Sequence, residues 1–319
     1  MFNPEHLRTL QAVVEEGTVL AAADRLHLTP SAVSQQLGRL QQQVGQPVMV
    51  RQGRGLVPTD AAAVLVRVAE QMVELDERAR AELETLQEEV SGPLVLAAFP
   101  TALLGLVAPA VTVLQERHPH LVLTVRELSP EAALHALRRG EVDVAVVHDW
   151  TDRQVSIRAG LQAHLLGLDP VDLIAPATSD LQAGPDGVDL DDLGGHVWID
   201  DSPGVYSDWL RGALSTRRLP HRIGATVEAS APRLSLVTQG FGLCLLPRLG
   251  RDALPAGLVA LPLVEAPTRR IHAVHREASA RRPAVEAALE AMRTVWRERA
   301  ELPDVPEEGE GGGGGGPTR

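Results

Sequence analysis

The chain has 319 residues, a formal net charge of −12, and a composition that is 44% hydrophobic and 23% charged. That length suggests two or three domains, since single cores seldom grow past about 250–300 residues. No apolar run approaches the roughly 20 residues of a membrane span and nothing resembles a signal peptide, so the expectation is a cytoplasmic protein with no membrane partner.

In chain order, the first helical pattern is Pro4–Glu16, with Leu7, Leu10 and Val14 as its apolar stripe. The next stretch, Ala21–Leu40, reads AAADRLHLTPSAVSQQLGRL and predicts a helix-turn-helix. Ala21, Ala22 and Ala23 let one helix lie close to the next. Thr29 stands at an N-cap position and Pro30 at the first helical position, so a new helix starts there. Val33, Leu37, Leu40 and Val44 recur at helical spacing and face the core. The opposite face carries Ser31, Ser34, Gln35 and Gln42 around Gly38, side chains able to approach and hydrogen-bond base edges. An ordinary helical hairpin with a polar outer face is the plain alternative.

Two short apolar runs around a Gly-rich tip, Pro47–Pro58, signal a hairpin placed as a wing, with Arg51 and Arg54 at its tip. The acidic total argues against a nucleic-acid partner. Yet from Arg25 to Thr59 there is no Asp or Glu, while Arg25, Arg39, Arg51 and Arg54 fall in that window. Exposed charges act over only about 10 Å at moderate salt, so the local sign decides. All 30 basic residues are arginine.

Residues 5–62 resemble the winged helix-turn-helix of the LysR-type transcriptional regulators. The likeness rests on the alanines of the second helix, the Ser-Ala-Val-Ser start of the third and the entry to the wing. It implies that Pro30, Ser31, Ser34 and Gln35 face bases and that Arg54 reaches a minor groove; Arg39 and Arg51 join the DNA face through the local positive charge. It further implies double-stranded DNA with an interrupted inverted repeat as partner, homodimers that assemble into tetramers, and a contact with RNA polymerase. Three positions depart from the family pattern. Gln35 stands where many members have Arg, Val44–Met49 replaces the usual Leu-Gly-x-x-Leu-Phe, and Thr59-Asp-Ala-Ala62 lacks the usual glycine.

From Thr59 to about Val90 the sequence lacks Pro and Gly, and Val64, Val68, Met72, Leu75, Ala79, Leu83, Leu86 and Val90 form a stripe. Some 30 residues at about 1.5 Å each predict a rod near 45 Å, and such a stripe usually meets a partner helix. Val68, Met72, Leu75, Leu83 and Leu86 are the expected dimer contacts. A linker helix packed on its own chain is the alternative. Ser91-Gly92-Pro93 ends the rod.

Beyond it the pattern alternates. Strands at Leu94–Ala98, Leu121–Val125 and Val142–Val147 enclose helices at Thr101–His118 and Pro130–Arg139, a βαβαβ order that predicts a parallel sheet. The cycle returns with Val171–Ala175, His196–Ile199, a helix near Tyr206–Ser215, and Gly242–Leu246. Arg270–Val274 and a helix carrying Val285, Leu289, Met292 and Trp296 close it. The expected class is α/β with an N-terminal winged helix-turn-helix, a long linker helix and a two-lobed domain resembling the family's periplasmic-binding-protein-like effector domain. The boundaries read as 1–58, 59–90 and 91–302, with lobe I at about 91–165 and 266–302 and lobe II at about 166–265. The acidic, Gly-rich stretch 303–319 has a disordered composition.

A small-molecule effector is expected between the lobes, where strands end and helices begin. Phe99, Pro100 and Thr101 meet that condition in one lobe; Ser202 and Gly204, in Asp200-Asp201-Ser202-Pro203-Gly204, meet it in the other. Asp149 and Trp150 follow the third strand beside His148. The family resemblance ranks Thr101 first and Ser202 next, with plain N-capping as the alternative for both. Asp149, Asp200 and Asp201 together suggest a ligand amine.

Cys244 lies in a buried strand pattern with no base beside it and fits a core thiol. His118 with His120, and His272 with His275, lack metal spacing, so neither metal nor cofactor is expected. No acid–base or nucleophile constellation points to an enzyme. The reading is a ligand-responsive, DNA-binding transcriptional regulator. The alternative is a ligand-independent architectural DNA-binding protein.

Overall fold

The computed structural model describes residues 2–52, 55–86, 89–150, 157, 159–201, 205–264, 266–299 and 302. The expected wing-tip Arg54, the cleft residues Ser202 and Gly204, and the stretch 303–319 lie outside the described residues.

The N-terminal unit is built from α1 (Pro4–Glu16), α2 (Val19–Leu26) and α3 (Pro30–Val44). A polar side chain caps the start of each. Asn3 accepts from the Glu5 amide at 2.8 Å, Thr18 from Ala21 at 3.2 Å and Thr29 from Ala32 at 3.2 Å, satisfying amides that the first helical turn leaves free. The turn into α3 passes through His27, which adopts the left-handed conformation at φ 53°. Leu7, Leu10 and Val13 of α1 meet Ala22 and Ala23 of α2 and Val33, Leu37 and Leu40 of α3 in one core. An antiparallel hairpin follows, β1 (Met49–Gln52) and β2 (Gly55–Pro58), with Met49 opposite Pro58. Thr59 closes it. Its hydroxyl donates to the Pro47 carbonyl at 2.9 Å and accepts from the Ala62 amide at 3.3 Å, fastening the hairpin to the next helix.

That helix, α4 (Asp60–Thr85), has 26 residues, a rod of about 39 Å. It is shorter than the expected Thr59–Val90. Its inward stripe also differs from the predicted one. Ala62, Leu65 and Ala69 complete the N-terminal core, and Val68 and Met72 pack partly against it. Farther along, Glu77 and Ala81 are buried. Leu75, Leu83 and Leu86 point away from their own chain, at 62%, 62% and 81% exposure.

The second unit begins with β3 (Gly92–Ala98), α5 (Pro100–Ala102), a π-helical turn (Leu103–Val107) and α6 (Ala108–Arg117). The single helix expected over Thr101–His118 is therefore interrupted. The wide turn lies where Gly105 abuts the carbonyl of Leu249, which would stand 2.3 Å from a Cβ added at that glycine. Next come β4 (Leu121–Glu127), α7 (Pro130–Arg138) and β5 (Val144–Trp150), with β3 parallel to both β4 and β5. The 16-residue β6 (Leu161–Pro176) then crosses into a second layer containing β7 (Val197–Asp200), α8 (Val205–Thr216), β8 (Arg222–Thr226), α9 (Ser230–Thr238), β9 (Cys244–Pro247) and β10 (Leu258–Pro262). The chain returns along β11 (Thr268–Arg276), antiparallel to both β5 and β6, and ends in α10 (Pro283–Arg297). The strand order is β10-β6-β11-β5-β3-β4, with β9 also paired to β6. β6 and β11 are thus the two crossovers joining one α/β layer set to the other. β8, α9 and β10 were not foreseen, because their short apolar runs lack a clear period.

The two units are joined by a buried ionic cluster. Arg282 donates to Glu77 at 3.2 Å, to Glu84 at 2.9 Å, and to Asp143 at 2.7 Å. Arg276 pairs with Glu77 at 2.9 Å and with Asp143 at 3.2 Å. Glu77, Arg276 and Arg282 are each 3% exposed or less. Burial opposes the charge on Arg282, but the Glu84 hydrogen bond and the surrounding carboxylates outweigh it and raise its pKa above the ordinary arginine value. Removing one member of such a group leaves the others charged and desolvated. Arg282→Ala is therefore expected to cost about 3–5 kcal/mol in urea unfolding; a loss within about 0.5 kcal/mol would show that the cluster does not hold α4 in place.

Candidate functional site

Two regions concentrate the side chains singled out from the sequence. The first is the outer face of α3. Because Val33, Leu37 and Leu40 occupy the core, the helical period turns Pro30, Ser31, Ser34, Gln35 and Arg39 outward, and all are exposed. Ser34 donates to the Pro30 carbonyl at 2.8 Å, and the Ser31 and Thr29 hydroxyls lie 3.0 Å apart. Gln35 and Arg39 make no hydrogen bond or ion pair among the described residues. Arg51, on β1, is likewise exposed and unpaired among them. Arg25, the fourth arginine of the acid-free window, serves elsewhere: it binds Glu15 at 2.8 Å and Glu16 at 3.0 Å. The exposed face thus presents short hydroxyls and an amide, with described cations on α3 and β1.

The second region lies where β3 ends and α5 begins. Thr101 is half-buried and Pro100 exposed. Thr101 is not an N-cap; Phe99 holds that position and no side chain caps the turn. Instead the Thr101 hydroxyl accepts from Arg269 of β11 at 3.0 Å. Arg269 is 6% exposed, is bonded to the fully buried Asp169, and lies 5.0 Å from the centre of the Phe99 ring. Phe99 also meets His148 edge-on at 4.7 Å. Trp150 is 6% exposed and belongs to the apolar cluster with Val171 and Leu173.

Strand alternation corrects the expected role of Asp149. It projects from the face of β5 opposite to His148 and Trp150, where Arg270 grips both its oxygens at 2.8 Å and His272 lies at 3.3 Å. Asp200 is equally committed, accepting from Ser207 at 2.6 Å and pairing with Arg211 at 2.8 Å. Asp201 pairs with Arg233 at 3.0 Å. With these carboxylates neutralised internally, the expected amine-binding character is withdrawn. Gly250 packs on the Thr101 methyl, and its neighbours Arg248 and Arg251 both bind one carboxylate, Asp172, at 3.2 Å and 2.8 Å.

Sequence reasoning missed Arg269, Asp169 and Asp172. The available signal was an acid at two positions of an otherwise apolar strand, which demands buried partners. Cys244 is buried, and desolvation pushes its thiol up to about 12, so it stays protonated and inert.

Burial, reinforced by the Arg269 charge, lowers the His148 pKa to about 3 from 6.5. Its Nδ1 atom has no hydrogen-bond partner among the described residues. Between these two values the unfolded chain binds a proton that the folded chain does not. Stability is therefore retained above pH 6.5 and lost as pH falls below it, by about 1.4 kcal/mol per unit at most. His148→Phe should flatten this acid limb in urea titrations at successive pH values; an unchanged limb would show that His148 is not its source.

Comparison with known proteins matches both units. The profile of the LysR substrate binding domain matches residues 87–297, and that of the bacterial regulatory helix-turn-helix protein, lysR family, matches residues 4–63. A probable HTH-type transcriptional regulator, LrrA of Synechococcus elongatus, is 26% identical over 291 residues, covering 91% of this chain and 96% of that protein. Among solved structures, a full-length OxyR from Pseudomonas aeruginosa superposes with a TM-score of 0.65 at 21% identity, covering 93% of this chain and 97% of that one. Full-length CbnR in complex with its target DNA superposes with a TM-score of 0.51 at 19% identity, covering 92% and 99%.

Proposed function

The chain belongs to the LysR family of bacterial transcriptional regulators, with a DNA-binding helix-turn-helix and an effector-binding domain, and on that premise we propose how it reads DNA and what it senses. The observation that carries the proposal is the outer face of α3. Seated in a major groove, Ser31, Ser34 and Gln35 reach base edges from the first turns of the helix, with Pro30 at its start. The Gln35 amide is suited to the N6 and N7 edge of adenine. Arg39 and Arg51, together with Arg54 at the wing, supply backbone and minor-groove contacts.

Two copies joined through the outward face of α4 would place two such helices on an interrupted inverted repeat. Leu75, Leu83 and Leu86 support this pairing by their exposure. Val68 and Met72 contribute less, because their own core already takes part of their surface. Tetramer formation, contact with RNA polymerase and a cytoplasmic location belong to the same proposal and rest on the family likeness. Among the described residues no helix is long and apolar enough to cross a membrane.

The effector is a small anion held beside Pro100 and Thr101. Arginines gather around Thr101 and support this reading: Arg269 donates to its hydroxyl, and Arg248 and Arg251 flank Gly250, which packs on its methyl group. Binding alters regulation only if the anion prefers one arrangement of the lobes. DNase footprints with and without candidate anions test this: a changed footprint supports a sensor, and an identical one supports a ligand-independent architectural binder.

Gln35→Ala should cost about 1–3 kcal/mol on the cognate site and relax one base position, read by binding to a set of single-base variants. Equal affinity and selectivity would remove α3 as the reading element. Leu75→Asp with Leu83→Asp should shift sedimentation from dimer to monomer; an unchanged profile would move the dimer interface elsewhere.

A further inference from the structure

The N-terminal unit is docked on the effector domain by a cluster of charges. Arg139, at the end of α7, binds Glu15 of α1 at 2.8 Å and grips Glu141 at 2.8 Å and 3.0 Å, while Arg25 reaches Glu15 and Glu16. Burial opposes ionisation of both Arg139 and Glu141, but their mutual hydrogen bonds outweigh it, raising the first and lowering the second. Beside this clasp the docked units enclose a crevice of about 370 Å³. Leu7, Arg8 and Gln11 of α1, Met72 and Val73 of α4, and Arg139 form its walls. That volume falls within the range of small-molecule sites.

Two polar groups in the crevice are unspent. Gln11 is 3% exposed, yet its amide has no hydrogen-bond partner among the described residues. Gln11 lines the crevice, so its amide is free to hydrogen-bond a group that occupies it. Arg8 is exposed at the rim and likewise makes no ion pair among the described residues. The acidic groups of the lining are already engaged: Asp76 accepts from Arg80 at 2.8 Å, and Glu77 belongs to the buried cluster with Arg276 and Arg282.

We propose that this crevice is a second ligand site, separate from the interlobe cleft, for a small carboxylate with an apolar body. The Arg8 guanidinium pairs with the carboxylate and the Gln11 amide donates to it. Leu7, Met72 and Val73 cover the apolar part. Because its walls come from both units, a ligand there binds only the docked arrangement and stabilises it by mass action. It would fix the orientation of the N-terminal unit directly, without passing through the lobes.

Calorimetric titration of the full chain with octanoate tests this, with octylammonium as the charge-reversed probe. Octanoate should bind in the millimolar range or tighter, and octylammonium should not. Arg8→Gln, a rim substitution that leaves the core intact, and Gln11→Leu should each weaken octanoate about tenfold, consistent with loss of a charge-assisted or buried hydrogen bond. Thr101→Val should leave it unchanged. Three results would overturn the assignment: no octanoate binding to the wild-type chain, equal binding of both probes, or loss of octanoate in Thr101→Val with retention in Arg8→Gln. The last would place octanoate in the interlobe cleft and leave the reading of that cleft standing.

Discussion

Charge removed from water and held by charge of the opposite sign is the constraint on which this architecture depends. Glu77 and Glu84 of α4 meet Arg276, Arg282 and Asp143 of the effector domain, with Glu77 at 3% and Arg282 at 1% exposure. Desolvating such groups costs several kcal/mol per ion, and only close, multiple contacts offset that. The cluster therefore tolerates little displacement. A hydrophobic seam slides; this one must either hold its geometry or open to water.

The consequence is that α4 belongs to two cores at once. Its first half, through Ala62, Leu65 and Ala69, completes the N-terminal core, and its second half enters the ionic cluster. The cluster is also tied to the proposed effector cleft by continuous strands. β11 carries Arg269, bonded to Thr101, at one end and Arg276 at the other. β5 starts beside Asp143 and ends at Trp150, which pairs with Arg269 across the ladder. A rearrangement around Thr101 thus acts on the same two strands that hold the rod carrying the N-terminal unit. The clasp of Arg139, Glu15 and Glu141 adds a direct contact between the units, and both devices use arginine, whose planar fork binds carboxylates at two points.

Local signals made much of this legible in the sequence. α1 over Pro4–Glu16 and the start of α3 at Pro30 follow from caps and period, and the hairpin after Val48 from its turn residues. The βαβαβ order around β3, β4 and β5 also follows, because each element there has a clear pattern. What failed to show was pairing at long range. In α4 the more hydrophobic stripe runs through Leu75 and Leu83, yet the side facing its own chain is lined by three alanines, Leu65 and a glutamate. Hydropathy cannot mark a buried carboxylate such as Glu77, whose partners lie some two hundred residues away at Arg276 and Arg282. The same blindness made Asp149, Asp200 and Asp201 look available, when each is held by an arginine from a distant or helical neighbour. Thr101 was found at its strand-to-helix junction, but its arginine partner was not.

Native-state hydrogen exchange tests the central claim most directly, because it reports which segments open together. If the ionic cluster welds α4 to the effector domain, amides in the second half of α4 near Glu77 and Ala81 will exchange with the same opening free energy and denaturant dependence as those of β5 and β11. Fast exchange of that segment, independent of denaturant while β5 and β11 stay protected, would contradict the account and leave α4 a tether between two separately moving units.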